Sequence, residues 1–264
     1  MKKVFQMMIA LLSFGLAFAF TDNDLDGVDD SIDRCPNTPF NQIVGPDGCP
    51  LGKIGQEREG GIKGKFYLKI GVGYNKKNGN DSIYSSTSLA YAYKGFYTSL
   101  SSLYYIKDNF NNSSGIGDTY FYLSYSSFLL ENLYTTIGLN TKIPTGKNSL
   151  SDKKFDFTPS ITFDYIRGKD DYFIYYGRTF KGKSGVKDVN AFSIGVGYQF
   201  SYKFYSSLSL DGSSSIITGD YGYTISYFGL YNLSPKYYIT LSYSYGLNNK
   251  ALDHAIFTKF GVKF

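Results

Sequence analysis

The chain has no tryptophan, a single histidine and only two cysteines among 264 residues. One histidine cannot build a histidine cluster for a transition metal. That residue, His254, follows Asp253, and no Ser, Asp or Asn arrangement completes a hydrolytic site around it. The sequence reads as a non-enzyme. Long apolar runs are also missing. The longest, Met7 to Leu16, is too short for a spanning helix. Nucleic-acid motifs are absent beyond a modest basicity, a net charge of +5. Gly177 to Ser184 (GRTFKGKS) formally matches a phosphate-binding loop. Such a loop works between a strand and a helix whose N-terminus faces the phosphates, and that context is lacking here.

What is abundant is aromatic. Tyr (27) and Phe (22) together dominate the composition, yet mean hydropathy is only −0.22. Both follow if every second residue meets an apolar medium. Phe66, Leu68, Ile70, Val72 and Tyr74 alternate with Lys65, Tyr67, Lys69, Gly71 and Gly73. The chain closes in the same way, with Ile256, Thr258, Phe260, Val262 and Phe264 against Phe257, Lys259, Gly261 and Lys263. A period of two is a strand with two unlike faces. Sustained over residues 63–264, it predicts an all-β fold, a transmembrane antiparallel β-barrel.

Twelve segments of spanning length are expected, near 64–74, 83–93, 96–107, 119–130, 133–143, 156–166, 172–180, 190–200, 204–211, 221–231, 237–246 and 255–264. The two faces of the third, fourth and tenth do not separate cleanly. Long polar connections are expected at 75–82, 108–118, 144–155, 181–189, 212–220 and 247–254, with short ones between them. Long outer loops alternating with short periplasmic turns are the barrel pattern, and both chain ends then fall in the periplasm. Phe264, with apolar residues two and four before it, resembles the terminal signal read by the outer-membrane barrel assembly machinery. A homo-oligomer is compatible with such a barrel, though no long loop forms an obvious latch.

The N-terminal quarter differs. Lys2 and Lys3, the apolar stretch and Ala17-Phe18-Ala19 predict a signal peptide over 1–19, hence export from the cell interior. Residues 21–50 hold seven Asp against one Arg, whereas residues 62–264 hold 22 Lys and Arg against 13 Asp and Glu. Two such regions imply separate roles. Asp22, Asp24, Asp26, Asp30 and Asp33 occupy positions 1, 3, 5, 9 and 12 of a loop with Gly27 at position 6. Calcium takes six to eight hard oxygens, and this spacing wraps them around one ion, with the Val28 carbonyl as a further ligand. An acidic spacer without an ion is the alternative.

Together with Arg34 to Pro39 and the closing Asp47-Gly48-Cys49-Pro50, this segment resembles a thrombospondin type 3 repeat. The resemblance implies a small calcium-binding module over 20–50 on the periplasmic side, of structural or docking role. Gly45 stands where that repeat usually has Asp. In an exported protein Cys35 and Cys49 are expected to pair. Closing a loop of about 15 residues contributes roughly 3 kcal/mol, offsetting the lack of a core. Residues 51–62, with Gly52, Gly55, Gly60 and Gly61, read as a flexible linker.

Inward positions of the barrel are expected to be small and polar, leaving room for water. Lys65 and Lys69 face inward on the first strand, and Lys259 and Lys263 on the last. Closure makes these strands neighbours. Four lysines then share one wall and concentrate anions, unless they pair with Asp164 or sit at the periplasmic rim. Lys142, Asp156, Arg178 and Asp211 form a second, mixed pore-lining group nearer the outside, where pairing competes with solute contact.

Residues 138–146 (GLNTKIPTG) and 155–165 (FDFTPSITFDY) resemble the transporter-like family named for the MetA pathway of phenol degradation. That resemblance implies outer-membrane passage of small, including aromatic, solutes. The abundant Tyr is equally expected from aromatic girdles at the membrane interfaces. The sequence therefore predicts a passive outer-membrane channel for small hydrophilic or weakly amphipathic solutes, surrounded by lipid and carrying a calcium module; a structural or adhesive barrel with a plugged lumen is the alternative, and a surface enzyme the last.

Overall fold

The structure, a computed structural model, describes residues 64–264. The expected signal peptide, the expected calcium ligands Asp22, Asp24, Asp26, Val28, Asp30 and Asp33, the expected Cys35–Cys49 pair and the linker 51–62 lie outside the described residues.

Twelve strands follow one another: β1 (Lys65–Lys77), β2 (Asn80–Tyr93), β3 (Phe96–Asp108), β4 (Ser113–Leu130), β5 (Leu133–Ile143), β6 (Asp156–Arg167), β7 (Asp170–Lys181), β8 (Val189–Ser201), β9 (Phe204–Ser214), β10 (Tyr221–Asn232), β11 (Tyr237–Gly246) and β12 (His254–Lys263). Each pairs antiparallel with its sequence neighbours. β1 also pairs with β12, from Tyr67↔Lys263 to Lys76↔His254, so the sheet closes into a barrel. Closure pairs the backbone groups that an open edge would leave bare, a condition for crossing lipid.

The side chains sort by parity. Ile70, Val72, Leu89, Leu100, Ile137, Ile174, Ile194, Leu208 and Leu241 are exposed on the outer face. Around this aliphatic middle stand exposed rings: Phe66, Phe96, Tyr125, Tyr172 and Phe200 toward the chain ends, and Tyr104, Tyr176, Phe180 and Tyr245 toward the other rim. So much apolar surface suits a hydrocarbon environment flanked by two interfaces.

Two expected loops are overturned. Residues 75–82 are not a long loop, because β1 and β2 run on to a two-residue turn, Asn78-Gly79, with φ of 50° and 83°. Positive φ at both positions is the hairpin turn that matches strand twist, and Asn-Gly is its preferred pair. Residues 108–118 shrink to 109–112, because β4 begins at Ser113. Irregular pairing of β3 with β4 at Ser102/Tyr104 and Tyr105/Asp108 accommodates this extension. From β5 onward the expected alternation stands, with 144–155, 182–188, 215–220 and 247–253 at one end against 168–169, 202–203 and 233–236 at the other.

Candidate functional site: the inner wall

The inner face is built on a pairing of glycine with aromatic rings. Gly73 lies opposite Tyr84, Gly195 opposite Phe173, and Gly261 opposite Tyr238. A Cβ added to any of these glycines would overlap the facing ring, and the same holds for Gly138 with Tyr122 and Gly197 with Tyr205. A large ring thus rests on a backbone that carries no side chain, lying along the wall instead of projecting across the lumen. Ser86, Ser88, Ser99, Ser101, Thr162, Ser193, Ser207 and Ser209 fill much of the remaining inner surface.

At the β12–β1 seam, glycine again makes room for long side chains. Lys69 faces Gly261, and Lys259 faces Gly71. The Lys69 ammonium donates to the Tyr97 hydroxyl at 2.6 Å and lies 5.0 Å from that ring's centroid. Lys259 sits 4.7 Å over the Phe257 ring. Lys263 lies 5.3 Å over Tyr238 and donates to the Asn232 amide oxygen at 3.5 Å. Ring faces attract cations without neutralising them. None of Lys65, Lys69, Lys259 and Lys263 forms an ion pair among the described residues.

The expected mixed group separates into three. Lys142 is enclosed by carboxylates, at 2.5 Å from Asp152, 3.0 Å from Asp156 and 3.8 Å from Asp118. Asp156 also takes Lys181 at 2.5 Å and the Gly182 amide at 3.0 Å. Asp118 accepts from the Gly146 amide at 3.0 Å. Asp118 and Asp156 are only 6% and 4% exposed. Segment 144–155 is therefore tied down against β4, β5 and β6. Thr145 adds a hydroxyl contact to Thr119 at 2.8 Å, and Lys153 donates to the Gly146 carbonyl. Asp118, Asp152 and Lys181 were not among the residues singled out in the sequence. Lys181 shares the parity of Thr179 and Gly177, which was the available signal.

Asp211 stands apart, ringed by hydroxyl donors. Ser193 and Ser209 donate to one carboxylate oxygen at 2.5 and 2.9 Å, and Ser226 and Thr224 to the other at 2.5 and 3.4 Å. Arg178 is a correction, since it does not line the lumen. It pairs with Asn190 in register and shares the outward parity of Tyr176 and Phe180. Its guanidinium lies 5.0 Å over the Phe180 ring and 3.0 Å from Asp188. An arginine at an interface reaches along apolar surface to water in this way.

Two further carboxylates face inward near the chain ends. Asp164 and Asp171 are diagonal neighbours across β6 and β7, with Asp164 opposite Phe173 and Ile166 opposite Asp171. Asp171 accepts from the Tyr205 hydroxyl at 2.6 Å through one oxygen, and its other oxygen is buried without a hydrogen-bond partner. His254 faces outward at the far rim, its Nδ1 2.9 Å from the Tyr243 hydroxyl, with Tyr245 packed beside it.

This architecture is that of known outer-membrane channels. The chain is similar in fold to the COG4313 outer membrane channel from Pseudomonas putida F1, with a TM-score of 0.60, 11% identity, and 76% of this chain and 94% of that one covered. It is similar to the NanC porin at 0.55, with 13% identity and coverage of 75% and 98%. The KdgM porin solved in complex with disordered oligogalacturonate aligns at 0.54, with 11% identity and coverage of 75% and 98%. At such identities the likeness is one of fold. No family model matches the chain.

Proposed function

We propose that the barrel lies in a bacterial outer membrane and acts as a passive channel for small hydrophilic or weakly amphipathic solutes. The observation that carries this reading is the inner wall, where aromatic rings are laid flat over glycines between small hydroxyl residues. That construction keeps these rings against the wall, as a water-filled axis would require. The fold-similar proteins are named porins or channels, which agrees with it. Lys65, Lys69, Lys259 and Lys263 would draw anionic groups toward the seam. Reconstituted into planar bilayers, the full-length chain is expected to give stepwise ohmic conductance. A barrel closed at every voltage would overturn the reading.

The same proposal places residues 20–50 in the periplasm as a calcium-holding structural or docking module, closed by Cys35–Cys49. Calorimetric titration of the full-length chain in detergent is expected to show calcium uptake. Replacing Asp24 and Asp26 with Ala should abolish it without changing conductance.

A further inference from the structure

The four seam lysines have a counterpart across the barrel. In a closed ring of twelve strands, the β12–β1 pair stands opposite the β6–β7 pair. The inner face of that opposite pair carries Asp164 and Asp171. Both sets lie at the same end. Lys65 and Lys69 fall within the first five residues of β1, Lys259 and Lys263 within the last five of β12, Asp164 within the last five of β6 and Asp171 within the first five of β7. Neither set is neutralised locally, because the ion pairs of the inner wall are spent at the far end around Lys142 and Asp156. Strands about 4.8 Å apart on a tilted ring enclose a backbone cylinder on the order of 20 Å across. Opposed charges at that separation, with low-dielectric walls behind them, set up a field across the lumen.

From this juxtaposition we infer that the channel favours small zwitterions carrying an ammonium and a carboxylate on one short chain. The carboxylate turns to the β12–β1 seam and the ammonium to Asp164 and Asp171. This inference rests on the channel reading and refines it. A lysine wall alone would select anions. A lysine wall facing carboxylates selects molecules that present both charges.

The test uses proteoliposomes holding the full-length chain, swollen with γ-aminobutyrate or with the similar-sized neutral 4-hydroxybutyramide. The zwitterion is expected to enter several-fold faster. K69Q/K259Q and D164N/D171N should each bring the two rates together. In potassium chloride gradients the first pair should move the reversal potential toward cation preference and the second toward anion preference. Because Asp171 holds Tyr205, D164N alone serves as a second variant and should shift the potential in the same direction as the double substitution. Equal entry of both solutes into wild-type liposomes would overturn the inference and leave the channel standing. Entry of neither solute would remove the channel reading, and this inference with it.

Discussion

Gly261 shows how much of the lumen rests on single residues. Its missing side chain is the space in which the Tyr238 ring lies. Gly261→Ala should drive that ring off the wall, lowering single-channel conductance and costing about 1–3 kcal/mol of unfolding free energy by overpacking. Conductance traces and urea unfolding of the same preparation check both effects. Tyr238→Ala should leave the glycine in place and not reduce conductance. The parity that put Lys69 and Lys259 inside was legible in the sequence, since each alternates with residues that are plainly apolar. Arg178 had the same signal, because Tyr172, Ile174, Tyr176 and Phe180 share its parity and face outward. Its charge suggested the lumen, but an interface lets a guanidinium lie over a ring and still reach Asp188.

Among the elements, segment 144–155 depends most on one side chain. Lys142→Met would leave Asp118, Asp152 and Asp156 close together without their shared cation. Losing one partner of a buried ion pair costs about 3–5 kcal/mol. The segment should then become a site of rapid protease cleavage in intact proteoliposomes, while wild type resists. Segment 182–188 offers a pH test. The Lys181 amide and the Arg178 guanidinium hold the Asp188 carboxyl below its usual range. A depressed carboxyl stabilises the fold above its unfolded value, near 4, and ceases to do so as pH falls through the lower folded value. The segment's attachment should be constant from about pH 5 to 8 and loosen only in stronger acid, read by amide hydrogen exchange at Lys181. Strand existence was legible throughout, because the period of two is clear in most segments and turn residues bound the others. Loop lengths were less so. Asn78-Gly79 is a strong hairpin signal, but the surrounding Lys and Asn residues resemble a polar loop. The third and fourth strands blurred where pairing between β3 and β4 becomes irregular. The tenth blurred because Phe228 and Leu230 face inward beside outward Tyr227 and Tyr231.

For the whole molecule, closure turns a list of strands into a site. The lysines of β1 and β12 lie at opposite ends of the barrel sequence, and only the ring makes them neighbours. The acidic wall was not legible, because Asp164 and Asp171 gain meaning from standing half a circumference away. Before the ring closes, β1 and β12 are two free edges with unpaired backbone, open to pairing with another chain. Inward-pointing lysines are among the devices that keep such edges from adding foreign strands. The seam that closes the finished barrel therefore also guards the unfinished one. Replacing Lys65, Lys69, Lys259 and Lys263 with Gln should lower the yield of monomeric barrel on refolding at high protein concentration, and dilution should restore it.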